Sequence, residues 1–316
     1  MQKQHSLHSH THSHDHEHSH ADPRHMSPGK FRFVTLLNLV ITLAEFLGGL
    51  VSGSLALLSD AVHNLSDTIS IMISYFAFKI SKRDHDFSHT FGYHRAEILA
   101  AFVNATALLI ISIFLIVEAI KRFYSPAEIK GYLMLIVATI GLLANLLSVV
   151  LLHRGQKDNI NIRSSYLHLM GDTFSSIGVI LGGIAIVLWQ VYWIDPLITF
   201  LVALYIMRES ISIIRSSTHI IMQGAPDVSL PDIKRDLEAI TGIKNVHHAH
   251  TWMIDDKSYF FEAHIDVPDQ MLSQLDALLA EVQQVLSSGY KIEHVTIQFE
   301  CDSCRNKDLL YQSTYM

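Results

Sequence analysis

Long apolar stretches alternate with short polar ones through the middle of the chain, and this pattern predicts membrane-spanning helices. The apolar stretches are rich in Leu, Ile, Val, Ala and Phe, and a helix of about 20 apolar residues is long enough to cross a bilayer. We therefore expect a transmembrane domain over residues 31–215, in contact with lipid. Its six predicted helices lie at 33–53, 55–80, 97–121, 130–153, 165–192 and 194–215.

The C-terminal part, residues 226–300, has the mixed pattern of a soluble domain. Its apolar positions alternate in three short stretches and recur at helical spacing in two others. The resulting order, α-β-β-α-β, predicts a cytosolic α+β domain of the ferredoxin-like kind with its helices on one sheet face. The predicted helices lie at 229–240 and 269–287, and the strands at 245–254, 258–267 and 291–299.

The remaining segments are polar. Residues 1–30 begin with nine His among the first 25 positions, mostly alternating with Ser, Asp or Glu. This composition predicts a disordered cytosolic tail that gathers metal weakly, and a plain solvated tail is the alternative. We expect a linker at 216–225 and a second tail at 301–316, which carries a CxxC motif formed by Cys301 and Cys304.

Composition and charge narrow the class of protein. Hydrophobic residues make up 49% of the chain and charged residues only 17%, with a net charge of −7. Lys and Arg form no basic face, which argues against nucleic-acid binding. No signal peptide is visible. Lys and Arg are concentrated in the loops at 79–95 and 154–163, which the positive-inside rule places in the cytoplasm. An even number of crossings then puts both termini in the cytoplasm. We expect the membrane to be a bacterial inner (plasma) membrane.

The most informative chemical pattern is a histidine followed four residues later by an aspartate, and it occurs twice. His63 and Asp67 lie in the second apolar stretch, and His168 and Asp172 lie in the fifth. Residues i and i+4 share one face of a helix. Two facing helices would thus offer two nitrogens and two oxygens, a tetrahedral set for Zn²⁺. Because ionisable groups are costly inside a membrane, they usually mark a functional site there.

These four residues predict a transport site rather than a structural one. A metal site at mid-membrane that water can reach is typical of a transporter. Histidine must lose its proton to bind metal, so metal binding releases protons and an exchange of Zn²⁺ for H⁺ follows. Asp60, three residues before His63, would line an access path or cap a helix end. For Asn38, Glu45, Asn104 and Asn145 we expect interhelical hydrogen bonds.

Two further metal sites are predicted outside the membrane. The loop after the second apolar stretch reads DHDFSHTFGYH, and it offers an exposed site or a solvated loop. Strand pairing around a turn at 255–257 would bring histidines of the soluble domain together near the CxxC motif, whose thiolates are good Zn²⁺ ligands. The loop candidates are Asp84, His85, Asp86 and His89, and the cytosolic candidates are His250, His264, His294, Cys301 and Cys304.

Two other classes of protein are alternatives to a transporter, and the mid-membrane ligands argue against both. A membrane-bound zinc sensor or buffer without flux would suit the His-rich tail and the cytosolic histidines, but it has no need for ligands at mid-bilayer. A membrane metalloenzyme needs an open coordination position and a general base. A closed set of two His and two Asp offers neither, so we do not expect an enzyme.

The chain resembles the cation diffusion facilitators, and in particular their bacterial zinc exporters. The stretches that carry the resemblance are SGSLALLSDAVHNLSD, HTFGYHRAEILAAFVNA, HLMGDTFSSIGV, VHHAHTWMID and EHVTIQFE. The resemblance implies six transmembrane helices, a cytosolic metallochaperone-like domain, a homodimer and Zn²⁺/H⁺ antiport out of the cytoplasm. It also implies that the transport site is His63, Asp67, His168 and Asp172.

The resemblance bears on selectivity and on the other sites as well. Histidine at the place of His63 goes with a preference for zinc over cadmium, although Cd²⁺ or Co²⁺ would still fit such ligands. Tyr93 stands where some members have a His, which argues against the loop site. The cytosolic positions that match family ligands are His250, His264 and His294, and the CxxC is an addition to them.

Overall fold

A computed structural model describes residues 28–83, 85–153, 160–304 and 306–310. Within its helices it leaves out the side chains of 28–35, 151–153 and 160–172, and those of several residues between 67 and 78 together with 148. The His-rich tail and Asp84 therefore lie outside the described residues. Eleven elements are described: α1 (Pro28–Ser52), α2 (Leu55–Ser81), α3 (Arg95–Tyr124), α4 (Gly131–His153), α5 (Ile160–Trp189), α6 (Ile194–Ile221), α7 (Leu230–Glu238), β1 (Asn245–Met253), β2 (Tyr259–Asp266), α8 (Leu272–Tyr290) and β3 (Ile292–Glu300).

The helices and strands follow the order predicted from the apolar pattern. The first six helices match the six apolar stretches to within a few residues, and α7 to β3 have the predicted order α-β-β-α-β. The largest shift is at the end of α6, which runs to Ile221 rather than 215, because backbone hydrogen bonding continues through the polar residues that follow the apolar stretch. The coarse prediction of a helical domain followed by a small α+β domain is confirmed.

Two of the described helices, α3 and α6, combine the length and the apolar composition needed to cross a membrane. Three shorter stretches, Leu36–Ser52, Gly131–Leu147 and Thr173–Trp189, are similarly apolar. Large apolar side chains lie exposed along these helices, among them Ile110 at 63% and Leu201 at 56% exposure. Exposed apolar surface of this extent is expected where lipid covers a helix.

The chain divides into two compact units, one formed by Met1–Ile71 with Arg122–Ile198 and the other by Met72–Lys121 with Thr199–Met316. In the first unit, α4 packs against α1 and α5. Glycines allow this close approach: the space beside Gly48 is filled by Val137, and that beside Gly183 by Leu135. Small residues let membrane helices pack through van der Waals contact, where no hydrophobic effect drives association.

The first turn of α2 is held by a residue far along the chain. The Asp195 carboxylate accepts from Leu55 N at 2.8 Å and from Ala56 N at 3.2 Å. Ser54 accepts the next two N–H groups through its hydroxyl and its carbonyl, and donates its own hydroxyl to Asp195. All four donors that a helix leaves open at its N-terminus are thus satisfied. The start of α2 is therefore fixed to the first turn of α6.

Interhelical hydrogen bonds at Asn38 and Glu45 are confirmed, whereas the buried Asn145 Nδ2 has no hydrogen-bond partner among the described residues. Asn38 Nδ2 donates to Thr68 Oγ1 at 3.3 Å, and Asn64 Nδ2 donates to Glu45 Oε2 at 2.8 Å. Each bond joins α1 to α2. Because polar groups inside a bilayer have no bulk water to bond with, such pairs stabilise helix association. Together with the cap at Asp195 they join the first half of α2 to α1 and α6.

The second unit contains the C-terminal domain, a three-stranded sheet in the order β1-β2-β3. Strand β2 pairs antiparallel with β1 and parallel with β3. Its core side is apolar and buried, with Phe261, Ala263 and Ile265 at the centre and α7 and α8 packed against them. Alternation along β2 turns His264 and the residues two positions away to the opposite face. That face carries the polar groups described next.

Candidate metal sites

The intramembrane pairs lie on α2 and α5. His63 is half-buried on α2, and Asp67 follows one turn later on the same helix. The backbone positions of His168 and Asp172 lie in α5. The side chains of Asp67, His168 and Asp172 lie outside the described part of the structure, so the ligand set of this site stays a prediction.

Asp60 links the two helices that carry these pairs. Its Oδ1 accepts from Ser175 Oγ at 3.1 Å, and its Oδ2 accepts from Ser176 Oγ at 3.3 Å. Asp60 and Ser176 are 3% and 1% exposed. The contact places Asp60 of α2 and Ser175–Ser176 of α5 at one level of the bundle. The sequence pointed to Asp60 but not to its serine partners, because nothing in the spacing indicates which helix faces α2.

In the loop between α2 and α3, Asp86 is already bound within the protein. Its Oδ2 accepts from the Tyr93 hydroxyl at 2.7 Å, and its Oδ1 accepts from the backbone N of Ser88 and His89, both at 2.8 Å. These hydrogen bonds, first that of Tyr93, lower the pKa of Asp86 to about 2. His89 Nδ1 lies 3.5 Å from Asp86 Oδ1, and His85 is exposed. The loop site stays a prediction, with Asp84 outside the described residues.

The polar face of the C-terminal sheet gathers four potential metal ligands within 4.8 Å of one another. His264 Nδ1 lies 2.7 Å from Glu300 Oε1, and Cys304 Sγ lies 3.4 Å from the same oxygen. Cys304 Sγ is also 3.6 Å from His264 Nδ1. Two imidazoles, a carboxylate and a thiol are ligands that Zn²⁺ accepts in tetrahedral sites. The group is His247, His264, Glu300 and Cys304.

His247 is the clearest sign that this group is built for an ion. Its side chain has no exposed surface, yet neither ring nitrogen has a hydrogen-bond partner among the residues that the structure describes. Glu300 Oε2 lies 3.6 Å from His247 Nε2, too far for a hydrogen bond. A buried polar group without a partner is costly. A metal ion bound between His247 and Glu300 would supply the missing interaction.

The neighbouring groups adjust the charges of this cluster. Burial raises the pKa of Glu300, but hydrogen bonding from Cys304 and the nearby His264 outweigh it, so the pKa lies below its usual value. Glu300 in turn raises the pKa of the Cys304 thiol, chiefly through their hydrogen bond. The carboxylate is therefore charged at neutral pH while the thiol keeps its proton. Metal binding through Cys304 would release that proton.

A bulge in β1 decides which histidines meet. His250 pairs with Glu262, but the register shifts before His247, which pairs with His264. His248, inside the bulge, has φ 48°, a left-handed conformation uncommon for a non-glycine residue. An extra residue of this kind is typical of a β-bulge. His250 and His264, which strand pairing was expected to bring close, line one pocket but are not paired. Regular pairing from the turn sets His250 opposite Glu262, and the bulge then brings His247 opposite His264.

The structure brings together only part of the predicted cytosolic set. His264 and Cys304 belong to the four-residue group, whereas His250 lines an open pocket of about 220 Å³ beside it. His294 stacks near Phe260, with ring centroids 4.6 Å apart, and Cys301 is exposed. His247 and Glu300 were missed. The adjacent His247 and His248 were a visible signal, but only the bulge shows which of them turns to the site.

The segment after β3 holds Cys304 in place. His248 N donates to the Asp308 carbonyl at 3.1 Å, and Ala249 N donates to the Leu309 carbonyl at 2.8 Å, so the tail pairs with β1 at its bulge. Lys307 Nζ lies 2.6 Å from the buried Asp266 carboxylate. The tail thus contacts both β1 and the end of β2. Cys304 lies between the end of β3 and this bound segment. The thiol, four residues after the end of β3, is thus positioned by the contacts of the segment that follows it.

Comparison with known proteins defines the class. Residues 32–222 match the cation efflux transmembrane domain, and residues 225–301 match the cytoplasmic domain of cation efflux proteins. The chain belongs to the cation efflux family. The boundary between the two matched regions falls at the end of α6, and the sheet lies in the region matched to the cytoplasmic domain, with Cys304 three residues beyond it.

Individual relatives make the placement more specific. The chain is 40% identical over 270 residues to the zinc transporter ZitB of Escherichia coli, covering 84% of this chain and 85% of the relative. It is 40% identical over 263 residues to a cadmium, cobalt and zinc/H(+)-K(+) antiporter of Bacillus subtilis, with 82% and 84% covered. It is 35% identical over 289 residues to the metal cation efflux system protein CzcD of Cupriavidus metallidurans, with 90% and 91% covered.

Proposed function

We propose that this protein is a homodimeric Zn²⁺/H⁺ antiporter that exports zinc from the cytoplasm by alternating access, with His63, Asp67, His168 and Asp172 as the transport site. The observation that carries the proposal is the contact of Asp60 with Ser175 and Ser176, because it fixes the relative heights of the two helices that bear the ligand pairs. The relatives named as zinc transporters and antiporters support the substrate and the exchange.

The heights follow from helix geometry. Consecutive spans run in opposite directions, so α2 and α5 are antiparallel. From the shared level, His63 lies three residues along α2 and Asp172 lies three residues back along α5 from Ser175. At a rise of about 1.5 Å per residue, His63 and Asp172 both lie about 4.5 Å from the level of the Asp60–Ser175 contact, on the same side of it. Asp67 and His168 are each seven residues from that contact and lie about 10.5 Å from its level, again on the same side. The four positions therefore occupy matching levels, as one shared site requires.

The membrane arrangement of the proposal has six spans, α1 to α6, with both termini in the cytoplasm and the protein in the inner (plasma) membrane. The loops between α2 and α3 and between α4 and α5 carry most of the basic residues, which favours this orientation. The C-terminal domain, of ferredoxin-like character, would bring two copies of the chain together. Other divalent cations such as Cd²⁺ and Co²⁺ are secondary substrates in this proposal.

The group on the C-terminal sheet is the proposed regulatory zinc site. The donor set of His247, His264, Glu300 and Cys304 fits Zn²⁺, and the buried His247 lacks another partner among the described residues. Binding there would neutralise a buried carboxylate and stabilise the folded tail that carries Cys304. Such a site suits the alternative function as well, a membrane-bound zinc sensor or buffer without flux.

Reconstitution distinguishes the two functions. The purified protein is placed in liposomes that contain a zinc-sensitive dye, and a pH gradient is imposed. We expect zinc uptake that requires the gradient and is absent in Asp67→Ala. The matched control is Asp86→Asn, which removes a carboxylate of the loop outside the membrane and should leave uptake intact. Zinc binding without uptake by the unmodified protein would establish the sensor or buffer instead.

A further inference from the structure

Asp60 is a buried carboxylate that is not one of the four proposed zinc ligands of the transport site. It lies one turn before His63 on α2, is 3% exposed, and both of its oxygens accept hydroxyl hydrogen bonds from α5. The serines that donate these bonds follow Asp172 by three and four residues. A carboxylate in this place connects the two ligand helices directly, next to the point where zinc would bind.

The contact lies toward the extracytoplasmic ends of both helices in the proposed topology. Helix α2 begins only five residues before Asp60, and α5 continues from Ser176 to Trp189. Beyond the contact, Ala56 and Leu57 of α2 belong to a buried apolar cluster that includes Val179 of α5. On this side of the site the two helices are therefore joined by hydrogen bonds, and both contribute side chains to one buried apolar cluster.

We propose that Asp60, Ser175 and Ser176 form a latch that closes the extracytoplasmic side of the transport site and must open before zinc leaves. The proposal rests on the transport function proposed above. Asp60 acts as a positioning residue, holding α2 against α5, and is not a zinc ligand. An export cycle needs such a reversible contact, because the outer path must be shut while the site faces the cytoplasm.

The chemistry of the latch suits a contact that opens and closes. Hydrogen bonds to an ionised acceptor are stronger than those between neutral groups, and in a bilayer no bulk water competes for the carboxylate. When the helices separate, water entering the outer path would solvate Asp60 and both hydroxyls. The closed and open states each satisfy the carboxylate, so neither is strongly disfavoured. Two states of similar free energy are what alternating access requires.

The test measures access from outside with a reporter cysteine at Val179, which is 1% exposed and lies just beyond the latch. Val179→Cys is introduced into the full chain, and intact cells are treated with a membrane-impermeant maleimide. The native Cys301 and Cys304 lie at the end of the matched cytoplasmic domain and three residues beyond it, so the proposed topology keeps both from this reagent. With the latch intact, labelling should be slow.

Replacing both serines, Ser175→Ala with Ser176→Ala, removes two hydrogen bonds to a charged group and should raise the labelling rate on the order of tenfold. The KM for cytoplasmic zinc should rise with the maximal rate largely kept, since less protein faces the cytoplasm. The matched control is Ser59→Ala, which removes a buried hydroxyl beside Asp60 that has no hydrogen-bond partner among the described residues. The control should keep the slow labelling.

Asp60→Asn provides a second variant if the double serine variant does not fold, and it should also accelerate labelling. A labelling rate equal to that of the Ser59→Ala control in every latch variant that folds would overturn the latch. Asp67→Ala, tested in parallel for export, separates the two proposals. If it abolishes export while labelling never changes, only the latch is wrong. If it still exports zinc, the transport site is wrong as well.

Discussion

The two proposed zinc sites are built in opposite ways. In the membrane, each helix contributes a His and an Asp one turn apart, so half of the site follows from local helix geometry. On the cytoplasmic sheet, each of the three strands contributes one group and the segment after β3 contributes the fourth. The four are His247, His264, Glu300 and Cys304. The first site needs two helices at matching heights, and the second needs a whole folded domain. Mutations should therefore affect the two sites independently.

The largest expected effect is at the membrane pairs. Asp172→Ala should abolish zinc flux in liposomes, because a tetrahedral zinc left with three protein ligands gains water and is no longer held as a closed set. Zinc titration of the same protein should still show the cytoplasmic site. Loss of zinc binding at both places would contradict the independence of the two sites.

The next largest effect is at Glu300, which contacts the other members of the cytoplasmic group. Glu300→Gln should weaken zinc binding to this group by about 100-fold or more, since it removes a charged ligand and leaves the two histidines and the thiol incomplete. Isothermal titration of the full-length protein in detergent measures this affinity. Gradient-driven flux should remain detectable in the variant, and its complete loss would show that the two sites are coupled far more tightly than their separate construction indicates.

A sharper comparison lies within β1, between two histidines three residues apart. His247→Ala should lower zinc affinity by about tenfold or more, whereas His250→Ala should change it by less than about threefold, because His250 pairs with Glu262 outside the group. Both substitutions remove an imidazole from the same strand, so each is the control for the other. Equal losses would mean that the bulge does not assign the ligands as described.

The smallest effect is expected at the loop between α2 and α3. The pKa of Asp86 is lowered to about 2, so the stabilisation from its hydrogen bonds is fully present above its ordinary pKa of about 3.8 and is lost as the pH falls through about 2. Tyr93→Phe removes the main cause and should raise this pKa toward its usual value. Titration followed by carboxylate NMR signals measures it. Zinc flux at neutral pH should not change.

The sequence predicted the helices and the membrane pairs because both depend on local periodicity. Apolar length marks a span, and His63 with Asp67 share a helix face by spacing alone. The cytoplasmic group depended on a feature with no such period. A single extra residue in β1 turns His247 toward His264, and the segment after β3 brings Cys304 beside His264. Long-range register of this kind is not encoded in the spacing of any one segment.

The cap on α2 has a consequence for how the protein is made. The N–H groups that Asp195 accepts belong to residues about 140 positions earlier in the chain. During synthesis α2 enters the membrane long before α6 exists, and until then its first turn lacks two acceptors. Water at the membrane surface would have to serve them in the meantime. In the proposed topology, the cap at the start of the helix that carries His63 is therefore completed only after the last span has been made.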